Sequence, residues 1–375
     1  MNAVVSPQLA GGRLTIDLGA LVANWRALAA AAAPAGCAAV VKGDAYGIGI
    51  DAAVEALAAA GCRTFFTAVV SEALRARRAA PAAEIYVLNG FPPGAAAVLA
   101  DHRLRPVLGA PEEVEEWAAL GRARGPQPAA LHIDTGMNRL GLAADLAAAL
   151  SRRNDLLAAI DLSLVMSHLA CADVPGHPMN ERQRAAFATA RALFPGVPAS
   201  LANSAATLAL PDCRCDLVRP GISIYGGAAL AAADNPMRPV VRLEGRIIKV
   251  RDAAAGGTVG YSATQTLSRD SRLAVVGIGY ADGFPRAAGS TDLRTGASGW
   301  LAGRRVPLVG RVSMDLLVFD VTEMPADAAR RGEWIELFGP NMPVDEVAAH
   351  AGTIGYELLT QLGARFARHY VAAGA

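Results

Sequence analysis

The sequence predicts an α/β protein, with an N-terminal (β/α)8 TIM-type barrel followed by a mostly-β C-terminal domain. Three observations lead there. From Ala38 to about Gly221, short β-rich runs alternate with stretches rich in Ala, Leu, Arg and Glu, the pattern of a parallel sheet wrapped by helices. Eight such β-rich runs can be drawn, the number that closes a barrel. Beyond Asn235-Pro236 and Pro239 helical stretches become scarce and strand patterns dominate. The expected division is a barrel over 13–239 and a β domain over 240–375, with residues 1–12 associated with the latter. A chain of 375 residues is long enough for both.

The expected barrel strands are 38–42, 64–70, 85–89, 105–108, 130–134, 162–168, 199–203 and 217–219. Helices are expected over 51–60, 71–78, 111–124, 145–153 and 180–193. Asp51 and Ser71 read as N-caps, and Pro111 followed by Glu112 and Glu113 reads as a first turn. In the second domain, strands are expected over 241–250, 273–279, 306–309, 316–321 and 334–338. A last helix is expected over 356–366, and residues 14–18 are expected to pair with this domain before the chain enters the barrel.

Composition excludes several classes of function. The formal net charge is +1, so nothing favours nucleic acid or an anionic membrane. The longest apolar stretch, 27–41, is broken by Pro34 and Gly36 and falls short of the ~18 residues of a membrane span. Met1 to Ala10 carries neither a basic start nor an apolar core, so no signal peptide is expected. The five cysteines follow no framework spacing, which suggests reduced thiols in the cytoplasm. His102, His177, His350 and His369 follow no metal-ligand spacing, and no metal is expected.

In a barrel of this class, catalytic residues stand at the carboxyl ends of the strands. Those ends carry Lys42, Asn89, Asp134, His168, Asn203-Ser204 and Arg219. Lys42 stands out because the chain has 35 Lys and Arg but only two lysines, Lys42 and Lys249. Unlike arginine, lysine can lose its proton, form a Schiff base and act as a base. Lys249 punctuates an apolar strand and reads as a solvated position. The loops after the seventh and eighth strands, around Ser204 and Gly221, are where such barrels bind phosphate. A phosphate site and a Schiff-base lysine on one barrel face point to pyridoxal 5′-phosphate.

These segments resemble the alanine racemases, pyridoxal-phosphate enzymes of fold type III. Ala39-Val40-Val41-Lys42-Gly43-Asp44-Ala45-Tyr46-Gly47-Ile48-Gly49 looks like the family's cofactor-attachment signature. The resemblance continues through Asp134-Thr135-Gly136-Met137-Asn138-Arg139, Ser167-His168, Ala202-Asn203-Ser204 and Arg219-Pro220-Gly221. It extends through Gly279-Tyr280-Ala281-Asp282-Gly283, Ser313-Met314-Asp315 and Gly355-Tyr356-Glu357, nearly the whole chain. It implies that Lys42 forms the Schiff base and that Tyr46, Asn203, Ser204, Gly221, Ile222 and Tyr356 bind the cofactor, mostly at its phosphate. It implies Arg219 at the pyridine nitrogen, Tyr280 as the second base, and His168 linking Tyr280 to Arg219. Arg139, Met314 and Asp315 would handle the substrate. It also implies a homodimer in which each β domain completes the partner's site.

The chemistry asks for these residue types in its own right. Racemisation removes the α-proton from one face of an amino acid and returns one to the other, so one base on each face is the direct solution. Tyrosine is a weak base at its ordinary pKa of about 10, and positive charge from His168 and Arg219 would favour its phenolate. An arginine keeps its proton, so the ring nitrogen facing Arg219 would stay unprotonated. The chain departs from the family pattern at His132, where many relatives carry a lysine, often carbamylated, that braces the arginine matching Arg139. Chloride, water or the imidazole itself would do the bracing here. Gly43, Ile48 and Leu316 stand where alanine, histidine and glutamine are common. The alternatives to alanine racemisation are a serine or broader amino-acid racemase and a fold-type III decarboxylase, which would be expected to place an acid where Arg219 stands.

Overall fold

The structure, a computed structural model, describes residues 8–372. The first seven residues, which the sequence assigns to the β domain, and the last three lie outside the described residues. The chain forms two compact units. One holds Leu21–Ile224 and Ala228–Met237; the other holds the described residues up to Ala20, Tyr225–Gly227 and Arg238 onward.

The chain opens with β1 (Gly12–Asp17) and the helix Leu18–Ala32. The first unit then contains β2 (Gly36–Cys37), β3 (Ala39–Val40), β4 (Thr64–Thr67), β5 (Glu84–Val87), β6 (Arg105–Leu108), β7 (Gln127–His132), β8 (Ile160–Met166), β9 (Ala199–Ser200) and β10 (Leu217–Val218). β3 to β9 form one parallel sheet in chain order, and β10 pairs with β2. Backbone bonds complete the ring. Ala38 and Val40 donate to the carbonyls of Val218 and Pro220, each at 3.0 Å, while Asp216 and Arg219 donate to those of Ala199 and Ala202 at 3.0 and 2.9 Å. β2 and β3 belong to one extended run, so eight strand positions close the predicted barrel. All four residues of β4 are buried, as expected of parallel strands covered on both faces.

The helices meet the expectations in position but less well in detail. Pro111–Arg124 forms with Pro111 in its first turn, and Glu113 accepts from Gly109 and Ala110 N–H at 2.7 and 3.2 Å. Asp51 and Ser71 are not caps. The helices there are Ile50–Ala59 and Val70–Ala79, capped by Gly49 and Val69 without side-chain bonds. Asp51 instead accepts from Arg75 Nε at 3.0 Å. The helix Leu18–Ala32 escapes the sequence reading because its alanine-rich composition carries little amphipathic pattern.

The second unit is built on β11 (Val241–Ala253), β12 (Ser271–Val276), β13 (Ser298–Leu301), β14 (Arg304–Pro307), β15 (Leu317–Asp320), β16 (Trp334–Phe338) and β17 (Ala367–Val371). Its main path runs β14-β13-β16-β11-β1-β17, with β12 bridging β11 and β15. β1 runs antiparallel to β11 and parallel to β17, so the expected pairing of 14–18 is present. Arg13 makes two bonds of 2.8 Å to Glu244 across that ladder, and Arg13 and Arg246 each lie over Trp334, at 4.7 and 4.5 Å. The helix expected over 356–366 is shorter, Gly355–Thr360, an unexpected helix, Val344–His350, precedes it, and the chain then enters β17. β13 and β17 are too short or too polar for their alternation to show.

Candidate active site

Lys42 does not end a strand as expected. β3 stops at Val40, and Lys42 opens a tight turn. Gly43, Asp44, Ala45 and Tyr46 have φ of 64, 53, 54 and 52°, and Gly47 has 81°. Left-handed backbone costs an L-residue roughly 1–2 kcal/mol, so three consecutive non-glycine residues in that region need outside support. The helix Val70–Ala79 supplies it. Glu72 Oε1 accepts from Gly43 and Asp44 N–H at 2.7 and 3.2 Å, and Arg75 donates to Asp44 Oδ1 at 2.7 Å. Asp44 Oδ1 also accepts from Ile50 N–H at 3.0 Å. The Lys42 side chain is open to solvent but recessed. Its pKa is held below the usual lysine value, first by desolvation, then by the positive charge of Arg139 and Arg219, with Glu72 acting in the opposite sense.

Tyr46 is buried beside Gly221. A Cβ at Gly221 would lie 2.2 Å from the Tyr46 hydroxyl, so only glycine permits this approach. Ser204 Oγ accepts from Gly221 N–H at 2.8 Å and from Ser223 N–H at 3.5 Å. Ser223 is fully buried, and its Oγ has no partner among the described residues. Ile222 is buried in the same turn. A compact loop of backbone N–H groups with serine hydroxyls, one of them unspent, suits a phosphate monoester. Asn203 takes a different part: its Oδ1 caps the helix Ser204–Ala209 by accepting from Ala206 N–H at 3.1 Å.

Arg219, only 3% exposed, is fixed from several sides. It donates to Ser200 Oγ and, at 2.7 Å, to the Ser167 carbonyl. Its Nη2 lies 3.5 Å from His168 Nδ1, and its guanidinium sits 5.9 Å from the Phe66 ring. Burial pushes its pKa down to about 10, so it stays charged at neutral pH. Burial followed by the charges of Arg219, Arg139 and Lys42 brings His168 to about 3. The expected positive charge on His168 is therefore absent. It is a neutral imidazole, and Arg219 carries the charge. His132, 8% exposed, is likewise held near 4, by burial and then by Arg219. After it, Asp134 Oδ1 gathers the N–H groups of Gly136, Met137 and Asn138 at 2.9, 2.9 and 3.3 Å. That loop presents Arg139 to solvent.

In the second unit Tyr280 is 41% exposed. Its N–H donates to the Ser313 carbonyl at 3.1 Å, and Ala281 N–H donates to that of Met314 at 3.0 Å. Gly279 makes this possible, since a Cβ there would lie 2.3 Å from both carbonyl oxygens. Tyr280, Met314 and Asp315 thus belong to one construction. Arg365 fastens it with bonds of 2.6 Å to Asp282 and 2.9 Å to Asp315. Tyr261 is more exposed and lies in an open hollow with Ser313 and Leu316. Tyr356 stands partly exposed at the start of Gly355–Thr360.

Sequence reasoning missed Glu72 and Ser200, and it gave no role to Ser167 and Ser223, which stand in the segments it singled out. The first reads as an ordinary first-turn acid, and the serines carry no signal outside their three-dimensional setting. Known proteins decide the family. The family model described as alanine racemase, N-terminal domain, matches residues 16–229, and that described as alanine racemase, C-terminal domain, matches residues 240–370. The chain belongs to the alanine racemase family. Alanine racemase of Methylobacterium sp. (strain 4-46) is 55% identical over 362 residues, covering 96% of this chain and 98% of the relative. The biosynthetic alanine racemase of Agrobacterium fabrum is 48% identical over 367 residues, covering 96% and 94%. Among solved structures, the alanine racemase of Bartonella henselae with covalently bound pyridoxal phosphate superposes with a TM-score of 0.90 at 37% identity. It covers 96% of this chain and all of its own. The alanine racemase family thus joins a TIM-type barrel to a mostly-β domain in one chain, as here.

Proposed function

We propose that the protein interconverts L- and D-alanine with pyridoxal 5′-phosphate as cofactor, using Lys42 and Tyr280 as its two bases. The observation that carries this reading is the recessed Lys42 amine, depressed in basicity, on the same barrel mouth as the buried Arg219. Pyridoxal 5′-phosphate, when bound, supplies an electron sink for the α-carbon. The Ser204–Gly221–Ser223 cradle with Tyr46 fits its phosphate, with Ile222 lining the turn, Tyr356 assisting from the β domain and Asn203 holding the Ser204 helix in place. Arg219 would meet the ring nitrogen with a charge that burial does not remove, which would disfavour a protonated ring. Lys42 Nζ moves the α-proton on one face and Tyr280 Oη on the other. His168, neutral and against Arg219, passes that guanidinium's influence toward Tyr280 without adding a charge of its own. Arg139 and Met314 orient the substrate carboxylate, and Asp315, tied to Arg365, borders the entrance.

The same reading makes the protein a homodimer in the cytoplasm, each β domain completing the partner's site. Among the described residues no helix is long and apolar enough to cross a membrane. Chiral analysis of L-alanine and L-serine incubated with the purified, cofactor-loaded protein tests the activity. D-alanine should form faster than D-serine. Dominant D-serine would transfer the mechanism to another substrate, and the absence of both products despite bound cofactor would overturn the racemase reading.

A further inference from the structure

Glu72 holds two strand-end loops with one carboxylate. Its Oε2 accepts from Ala68 N–H at 2.9 Å, just after β4, and its Oε1 accepts from Gly43 and Asp44 N–H, the two residues that follow Lys42. Those two residues begin the left-handed run that ends at Gly47. The charged and titratable groups facing Lys42 are Arg139 from the loop after β7, His168 from the loop after β8, Arg219 from the loop after β10, and Glu72 from the helix Val70–Ala79. Of these four, Glu72 is the acid.

We infer that Glu72 is a positioning residue for Lys42: it clamps the left-handed turn from which the amine projects and sets one negative charge against Arg139 and Arg219. The inference rests on the reading of Lys42 as the cofactor-bearing base. Charge and clamp are separable. Removing the charge leaves Lys42 under desolvation and two arginines, all of which depress its basicity. Glu72→Gln keeps an oxygen for Gly43 and Asp44 but turns an N–H2 toward Ala68 N–H, donor against donor. Glu72→Asp keeps the charge on a shorter arm.

The test uses the full-length chain freed of cofactor, labelled with limiting acetic anhydride across a pH series and read by peptide mass spectrometry. Lys42 and Lys249 are the chain's two lysines, and Lys249, exposed on β11, is the internal reference. In Glu72→Gln the Lys42 labelling midpoint should fall by about one pH unit while that of Lys249 stays. In Glu72→Asp it should remain near that of the unmodified protein. Uptake of pyridoxal 5′-phosphate, followed as borohydride-fixed label on Lys42, should slow on the order of ten-fold in Glu72→Ala. An unchanged Lys42 midpoint in Glu72→Gln and unchanged uptake in Glu72→Ala would overturn the inference. Should Glu72→Ala fail to fold, Glu72→Gln and Glu72→Asp decide the matter on the midpoint. Failure of the unmodified protein to take up cofactor would sink the cofactor reading, while the labelling midpoints would still judge Glu72.

Discussion

His132 refuses a proton because the site around it is buried and already positive. Desolvation and Arg219 lower its pKa to about 4, with Arg139 adding in the same direction and Asp134 opposing. It therefore meets its surroundings as a neutral ring that can accept as well as donate, something a lysine ammonium cannot do. The pKa lies below that of histidine in an unfolded chain, which fixes the sign of the pH dependence. Below about pH 6.5 the unfolded chain takes up a proton that the folded protein does not. The contribution is fully present above that pH and is lost as pH falls toward 4, by about 2–3 kcal/mol at pH 4.5. His168, brought to about 3, acts in the same direction over a longer range. His132→Asn should therefore lose less stability than the parent between pH 7 and 4.5. Urea midpoints across that range measure it, and parallel curves for the two proteins would remove the argument.

At the scale of elements, the helix Pro111–Arg124 shows how tightly the barrel is wrapped. A Cβ at Gly121 would stand 1.8 Å from the Ala159 carbonyl oxygen and 2.9 Å from its carbon. In an open helix Gly→Ala gains up to about 1 kcal/mol. Here Gly121→Ala meets rigid backbone at the entry to β8 and should cost about 1–3 kcal/mol, read as a lower denaturant midpoint at unchanged slope. This contact also marks what the sequence can and cannot disclose. The eight barrel strands are legible because buried parallel strands are continuous apolar runs, and Lys42, Arg219 and Ser204 are legible because they interrupt such runs. Glu72 is not. It occupies the third position of its helix, as Glu113 does, and both accept N–H bonds from just before their helix begins. Local sequence accounts for that half of its bonding. The other half spans 29 residues to Gly43, and no periodicity encodes it. The Ser71 cap fails for a simpler reason: the helix begins one residue earlier, at Val70, so Ser71 lies inside its first turn. The neutral state of His168 was equally hidden, since it follows first from the burial of the ring and then from the arginines that converge on it.

At the scale of the whole molecule, the two proposed bases belong to separate compact units of one chain, Lys42 to the barrel and Tyr280 to the β unit. If each β domain serves the partner's barrel, the defect in Lys42→Ala and the defect in Tyr280→Ala fall on different halves of a shared site. A dimer with one chain of each kind then has one site lacking both bases and one site with both intact. Random exchange of equal amounts makes about half of all dimers mixed, each with one working site in two. Activity should therefore return to about a quarter of that of the unmodified protein, though neither variant alone is active. Exchange is verified independently by tagging one variant and recovering the other with it. Were both bases of a site drawn from the same chain, every site in the mixture would lack one of them, and verified exchange would restore nothing.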